Sequence, residues 1–141
     1  MAVSPAGAFD IVVDGRPAST IVVPEATIPV EDFAATELQH HLEKATGVEV
    51  PIRKEAAADA DARGLIFLGG TKCAAVARIA AADLPSNAFR IRLHGGNLYF
   101  VGHDSDGDVV GKPGSPNSIH SSFVRMGTLF AVYEFLEVHL G

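Results

Sequence analysis

Apolar and polar positions alternate at the start of the chain. Phe9, Ile11 and Val13 are interleaved with Asp10, Val12 and Asp14. A period of two marks a strand. Asp14-Gly15 is a turn signal, and Arg16-Pro17 follow it. Residues 19–23 then form a second apolar run, so the segment predicts a hairpin. The period next becomes helical. Phe33, Ala34, Leu38, His41, Leu42 and Ala45 share one side of "PVEDFAATELQHHLEKATG". Pro29 stands just before this helix, and Glu31 and Asp32 suit its positive start. Gly47 occupies the place of a left-handed terminal cap.

"VEVPIRK" predicts a short strand, with Pro51 placing it at an edge or a bulge. "KEAAADADARG" lacks an apolar stripe and predicts a surface loop. "GLIFLGG" is a short unbroken apolar run, the pattern of a buried central strand. "TKCAAVARIAAAD" predicts a second helix, with Thr71 as its N-cap. Phe89, Ile91 and Leu93 alternate with Arg90, Arg92 and His94. Gly95-Gly96-Asn97 supplies a turn and residues 98–101 return, making this the clearest hairpin in the chain. Residues 102–124 are rich in Gly, Pro, Ser and Asp and predict a long loop, a feature usually tied to function or mobility. The final helix shows Leu129, Val132, Tyr133, Leu136 and Leu140 as one stripe, with Gly141 closing it. Strand pairs mixed with helices predict an α+β domain: one mixed or antiparallel sheet with two main helices packed on one face. Residues 1–8 read as a disordered or tag-adjacent lead-in, and residues 9–141 as a single domain.

Composition narrows the function classes. A chain of 141 residues with 48% hydrophobic and 20% charged residues can bury a core without disulfides or metal. The net charge is −6 and no basic run occurs, which argues against nucleic acid and anionic membranes as partners. No apolar run approaches the roughly 20 residues of a membrane helix. "MAVSPAGAFD" has neither the basic nor the apolar region of a signal peptide. Cys73 is the only cysteine, so an internal disulfide and a cysteine zinc site are both excluded.

Candidate chemistry concentrates in the long loop. "DSDGD" spaces Asp104, Asp106 and Asp108 at alternate positions, as in the start of a calcium loop. Its glycine falls at the fourth position rather than the sixth, and Ser115 stands where the closing glutamate belongs, so a solvated acidic loop competes with a calcium site. His103 and His120 flank the same loop, and Arg125 ends it. These three are the candidates for partner binding, with a local ion pair as the structural alternative for Arg125. "QHHLEK" does not supply the His-Glu-x-x-His of a zinc protease helix. "FLGGTKCAAV" lacks the third glycine of a dinucleotide fingerprint. "GDVVGKPGS" has Pro113 where a phosphate loop needs Ser or Thr. Cys73 lies among Ala and Val, which favours an inert thiol. Glu134 and Glu137 suit a solvated helix face better than a pair of catalytic acids. The residues thus yield no catalytic set and call for no cofactor.

Four stretches carry a resemblance: "ATELQHHLEKATGVEVPI", "GLIFLGG", "NAFRIRLHGGNLYFVGHD" and "RMGTLFAVYEFLEVHLG". Together, from about Phe9 to Gly141, they resemble the accessory domain that precedes the catalytic barrel in bacterial alpha-glucuronidases. The same domain is the second domain of family 20 beta-N-acetylhexosaminidases, and an uncharacterised bacterial group carries it ahead of a glycosidase-like barrel. The resemblance implies a sheet bearing two helices, zincin-like in topology but without the metal motif. It also implies a secreted or periplasmic parent protein whose catalytic carboxylates lie in the following barrel. The expectation is therefore a non-catalytic domain that packs on and stabilises a downstream catalytic domain of the same polypeptide. A small carbohydrate- or ion-binding module using the 102–124 loop is the alternative, and a free-standing enzyme a third. An isolated fragment with an uncovered apolar patch is also open to dimerisation.

Overall fold

The computed structural model describes residues 9–58, 62–107, 109 and 124–140. The expectations for residues 1–8 and Gly141 lie outside them. The described chain is α+β, built on a mixed five-stranded sheet. Its strands are β3 (Thr20–Val23), β4 (Ile52–Lys54), β5 (Leu65–Leu68), β6 (Phe89–His94) and β7 (Asn97–Gly102), after a small ladder of β1 (Val12–Val13) and β2 (Arg16–Pro17). The order across the main sheet is β4-β3-β5-β7-β6. The β3–β4, β3–β5 and β5–β7 pairs are parallel, and β6–β7 is antiparallel.

The expected hairpin between residues 9–13 and 19–23 does not form. Asp14 and Gly15, both at positive φ, instead turn β1 back onto β2. Ala18 N–H and the Ser19 hydroxyl then donate to the Ile11 carbonyl. β3 leaves this ladder and enters the main sheet between β4 and β5. Its side chains explain why: Ile21, Val22 and Val23 are all buried, as suits a parallel strand covered on both faces. β4 is an edge strand, as Pro51 predicts, and β5 lies at the centre with all four residues buried.

Helix α1 (Pro29–Thr46) and helix α3 (Gly127–Leu140) cover one face of the sheet. Ile21, Val23, Ile66, Leu68, Leu98 and Phe100 point into this layer and meet Leu38, Leu42, Leu129 and Phe135. Phe100 and Phe135 stand with ring centroids 5.1 Å apart. Fully burying each such side chain contributes about 1.5–3 kcal/mol. α1 begins one residue earlier than its proline implied, with Pro29 as the first helical residue, and ends on Gly47 at φ 74°. Between the helices, the Tyr133 hydroxyl donates to the buried Glu37 carboxylate, which also meets His41 Nε2 at 3.2 Å. Burial and the Glu37 charge push the Tyr133 phenol up to about 12.

The opposite face carries a thinner layer. Val22, Phe67, Tyr99 and Val101 lie beneath helix α2 (Lys72–Val76) and the segment that follows it. Thr71 caps this helix as expected, its hydroxyl accepting from Ala74 N–H at 3.1 Å. The helix is much shorter than "TKCAAVARIAAAD" suggested. Arg78 adopts φ 59°, its N–H donates to Ala75 O, and Ile79 N–H donates to Ala74 O. That is a Schellman termination, and burial of Ile79 beside Ala74 locks it. In the β6–β7 hairpin, Asn97 belongs to the strand opposite His94, leaving Gly95-Gly96 as a two-residue turn at positive φ. Leu93, expected on the apolar stripe, is 48% exposed, on the edge strand β6 next to the hairpin turn.

Candidate functional site at the carboxyl edge of the sheet

The chain runs from β3 outward to β4 and then back across to β5. Strand order therefore reverses between β3 and β5. In open α/β sheets, the crevice at the carboxyl ends of such strands is the usual ligand position. The starts of α1, α2 and α3 lie along this edge, following β3, β5 and the β7 loop. Each start carries unpaired N–H groups and a positive dipole end.

A carboxylate of the chain itself occupies each of these starts. Glu31 reaches back so that Oε1 accepts from Ile28 N–H at 3.0 Å, the reach-back half of a capping box. Its Oε2 crosses the crevice and accepts from Gly70 N–H at 2.8 Å. The residue is only 5% exposed. A Cβ on Gly69 would lie 2.0 Å from Glu31 Oε2, so the glycine pair ending β5 makes room for this carboxylate. Glu55, in a single 3₁₀ turn after β4, holds α2: its oxygens accept from Lys72 N–H at 2.9 Å and Cys73 N–H at 2.8 Å. Asp104, just beyond β7, holds α3. Its Oδ1 accepts from Thr128 N–H at 2.8 Å, and its Oδ2 accepts from the Thr128 hydroxyl. Thr128 Oγ1 in turn accepts from Gly102 N–H at 3.0 Å.

Burial decides the electrostatics. Desolvation pushes the Glu31 and Asp104 carboxyls above their ordinary range, against hydrogen bonds that favour the charged forms. The two also repel one another, since Asp104 raises Glu31. The Cys73 thiol is pushed up by burial and by the Glu55 carboxylate, the opposite of activation.

The loop ends are fastened beside this edge. Asp104 and Met126 form an antiparallel bridge, Ser105 N–H donates to Arg125 O, and Arg125 N–H donates to Ser105 Oγ at 2.8 Å. The Asn87 side chain accepts from Met126 N–H at 2.7 Å. The sequence candidates therefore diverge. Asp104 turns inward to the helix, whereas exposed Asp106 accepts from Gly107 N–H in its own turn. His103 Nδ1 donates to the Leu84 carbonyl at 2.6 Å, towards the opposite flank. Arg125 fastens the loop through its backbone and leaves its side chain exposed. Asp108 and His120 lie outside the described residues. Among the described residues, no group of three His, Cys, Asp or Glu side chains is placed to hold a metal. No described helix is long and apolar enough to cross a membrane.

Sequence reasoning missed Glu55 and saw in Glu31 only a favourable charge. The signal for Glu31 was its place three residues after Ile28, next to the Gly69-Gly70 pair that only a long-range contact explains. Compared with known proteins, the chain matches no family model and no curated sequence.

Proposed function

We propose that this chain is a non-catalytic accessory domain of a glycoside hydrolase, packing on and stabilising a downstream catalytic barrel of the same polypeptide. The fold expected with it is the second-domain fold of the family 20 hexosaminidases, and the parent is expected to be secreted or periplasmic. One observation carries the reading: three buried or inward carboxylates at the place where a sheet of this kind usually binds its ligand are engaged at helix starts. Glu31 accepts from Ile28 N–H, just before α1, and from Gly70 N–H, while Glu55 and Asp104 accept backbone N–H groups of α2 and α3. A general acid or nucleophile must instead face a substrate. The resemblance in the four stretches quoted above supplies the class of parent. The test is hydrolysis of aryl glycosides by the purified chain. No turnover above the buffer blank is expected, and turnover at ordinary enzyme rates contradicts the proposal.

A further inference from the structure

We infer that a cleft between Arg78, Arg90 and Arg92, on the α2 face of the sheet, binds a carboxylate presented by an acidic protein surface. These residues, with Ile79, Ala80 and Asp83, line a concavity of about 260 Å³. The register places Arg90 opposite Val101 and Arg92 opposite Tyr99, so both arginines project on the α2 face. The cleft already shows how it holds a carboxylate. Asp83 meets Arg90 as a parallel fork, with Nη1–Oδ1 at 2.9 Å and Nη2–Oδ2 at 3.1 Å. Arg90 Nη1 also donates to Ala80 O, which fixes the guanidinium. Arg78 and Arg92 are exposed, and among the described residues neither has a carboxylate partner. Three arginines thus line the cleft beside one acid, in a chain whose net charge is −6.

The backbone adds a separate argument. Arg78 stands at φ 59°, at the helix-terminating position where glycine is the favoured residue. An arginine kept there at a conformational cost points to a use for its side chain. A protein segment carrying several acidic side chains matches this arrangement, since guanidinium forks favour planar carboxylates. The inference goes beyond the accessory-domain proposal, and the assay below reads the cleft whichever way that proposal falls.

The experiment is a ¹H–¹⁵N chemical-shift titration of the full chain with acetyl-Glu-Leu-Glu-Glu-amide, using the lysine counterpart as control. Salt-sensitive shifts at Ile79, Ala80, Arg90 and Arg92 are expected with the glutamate peptide only. Arg78→Gly is expected to weaken binding roughly tenfold while raising Tm by about 3 °C, because glycine suits the left-handed position. Arg92→Gln is expected to weaken binding similarly without the gain in Tm. Unmoved amides in the wild type, or wild-type binding by both variants, overturn the inference. So does inorganic phosphate shifting the same amides more strongly than the peptide, which would make the cleft a phosphate site.

Discussion

Two glycines set how closely the end of β7 meets the start of α3. A Cβ on Gly102 would lie 1.9 Å from Thr128 N, and one on Gly127 would lie 2.3 Å from Ala88 O. Both obstacles are backbone, so neither can rotate aside. Gly102→Ala is expected to lower stability by more than ~3 kcal/mol. Gly47→Ala meets open space at φ 74° and should cost only about 1 kcal/mol, the price of a left-handed alanine. Urea unfolding of both variants checks the contrast. Asp104 gives a second residue-scale expectation. Its raised folded-state pKa means that the folded chain binds more protons than the unfolded chain just above the ordinary carboxylate range. The stability linked to Asp104 and Glu31 is therefore fully present below their unfolded pKa values of about 4. It is lost as pH rises through the raised folded values. Asp104→Asn should flatten this part of the stability–pH curve. Asp104→Ala removes the cap itself and should cost about 1–2 kcal/mol, more at low pH than at high. An unchanged curve for Asp104→Asn would contradict the assignment.

At the scale of elements, local signals were legible wherever one residue type fixes the backbone. Gly47 ends α1 and Thr71 begins α2 as the sequence implies, and the hairpin turns at Gly95-Gly96, one residue shorter than the Gly95-Gly96-Asn97 expected. Partnerships were less legible. The run at residues 19–23 has the pattern of a strand returning on residues 9–13, because a hairpin and a buried parallel strand look alike over four residues. The parallel neighbours that decide the matter, β4 and β5, come 31 and 45 residues later in the register pairs Ile21–Ile52 and Thr20–Leu65. α2 is shorter than its pattern implies because alanine-rich sequence suits helix, while burial of Ile79 and the left-handed Arg78 favour an early stop. The α1–α3 contact offers its own test. With the Tyr133 phenol pushed up to about 12, its stabilising neutral form persists past the ordinary pKa of about 10 and is lost as pH approaches the raised value. Ultraviolet titration should show it ionising near 12. In Glu37→Gln, which removes the acceptor charge, ionisation should fall towards 10, and an unmoved titration would contradict the Glu37 contact.

At the scale of the molecule, the composition and the ordering of strands and helices were enough to indicate an α+β domain, and the structure supplies the mixed sheet with α1 and α3 on one face. The character of the carboxyl edge was not legible in the sequence. Glu31 meets Gly70 across 39 positions and Asp104 meets Thr128 across 24, distances over which no local pattern speaks. Asp104 looked like part of an alternating acidic loop, yet the fold draws it inward and leaves Asp106 outside. That separation supports capping rather than chemistry for the inward carboxylates. It bears directly on the central proposal, that the chain supports a catalytic domain and does not itself cleave glycosides. The most direct measurement is aryl-glycoside hydrolysis by the purified chain and by Asp104→Asn in parallel. Both are expected to stay at the buffer blank. Turnover by the wild-type chain that disappears in Asp104→Asn, with the variant still folded, would contradict it.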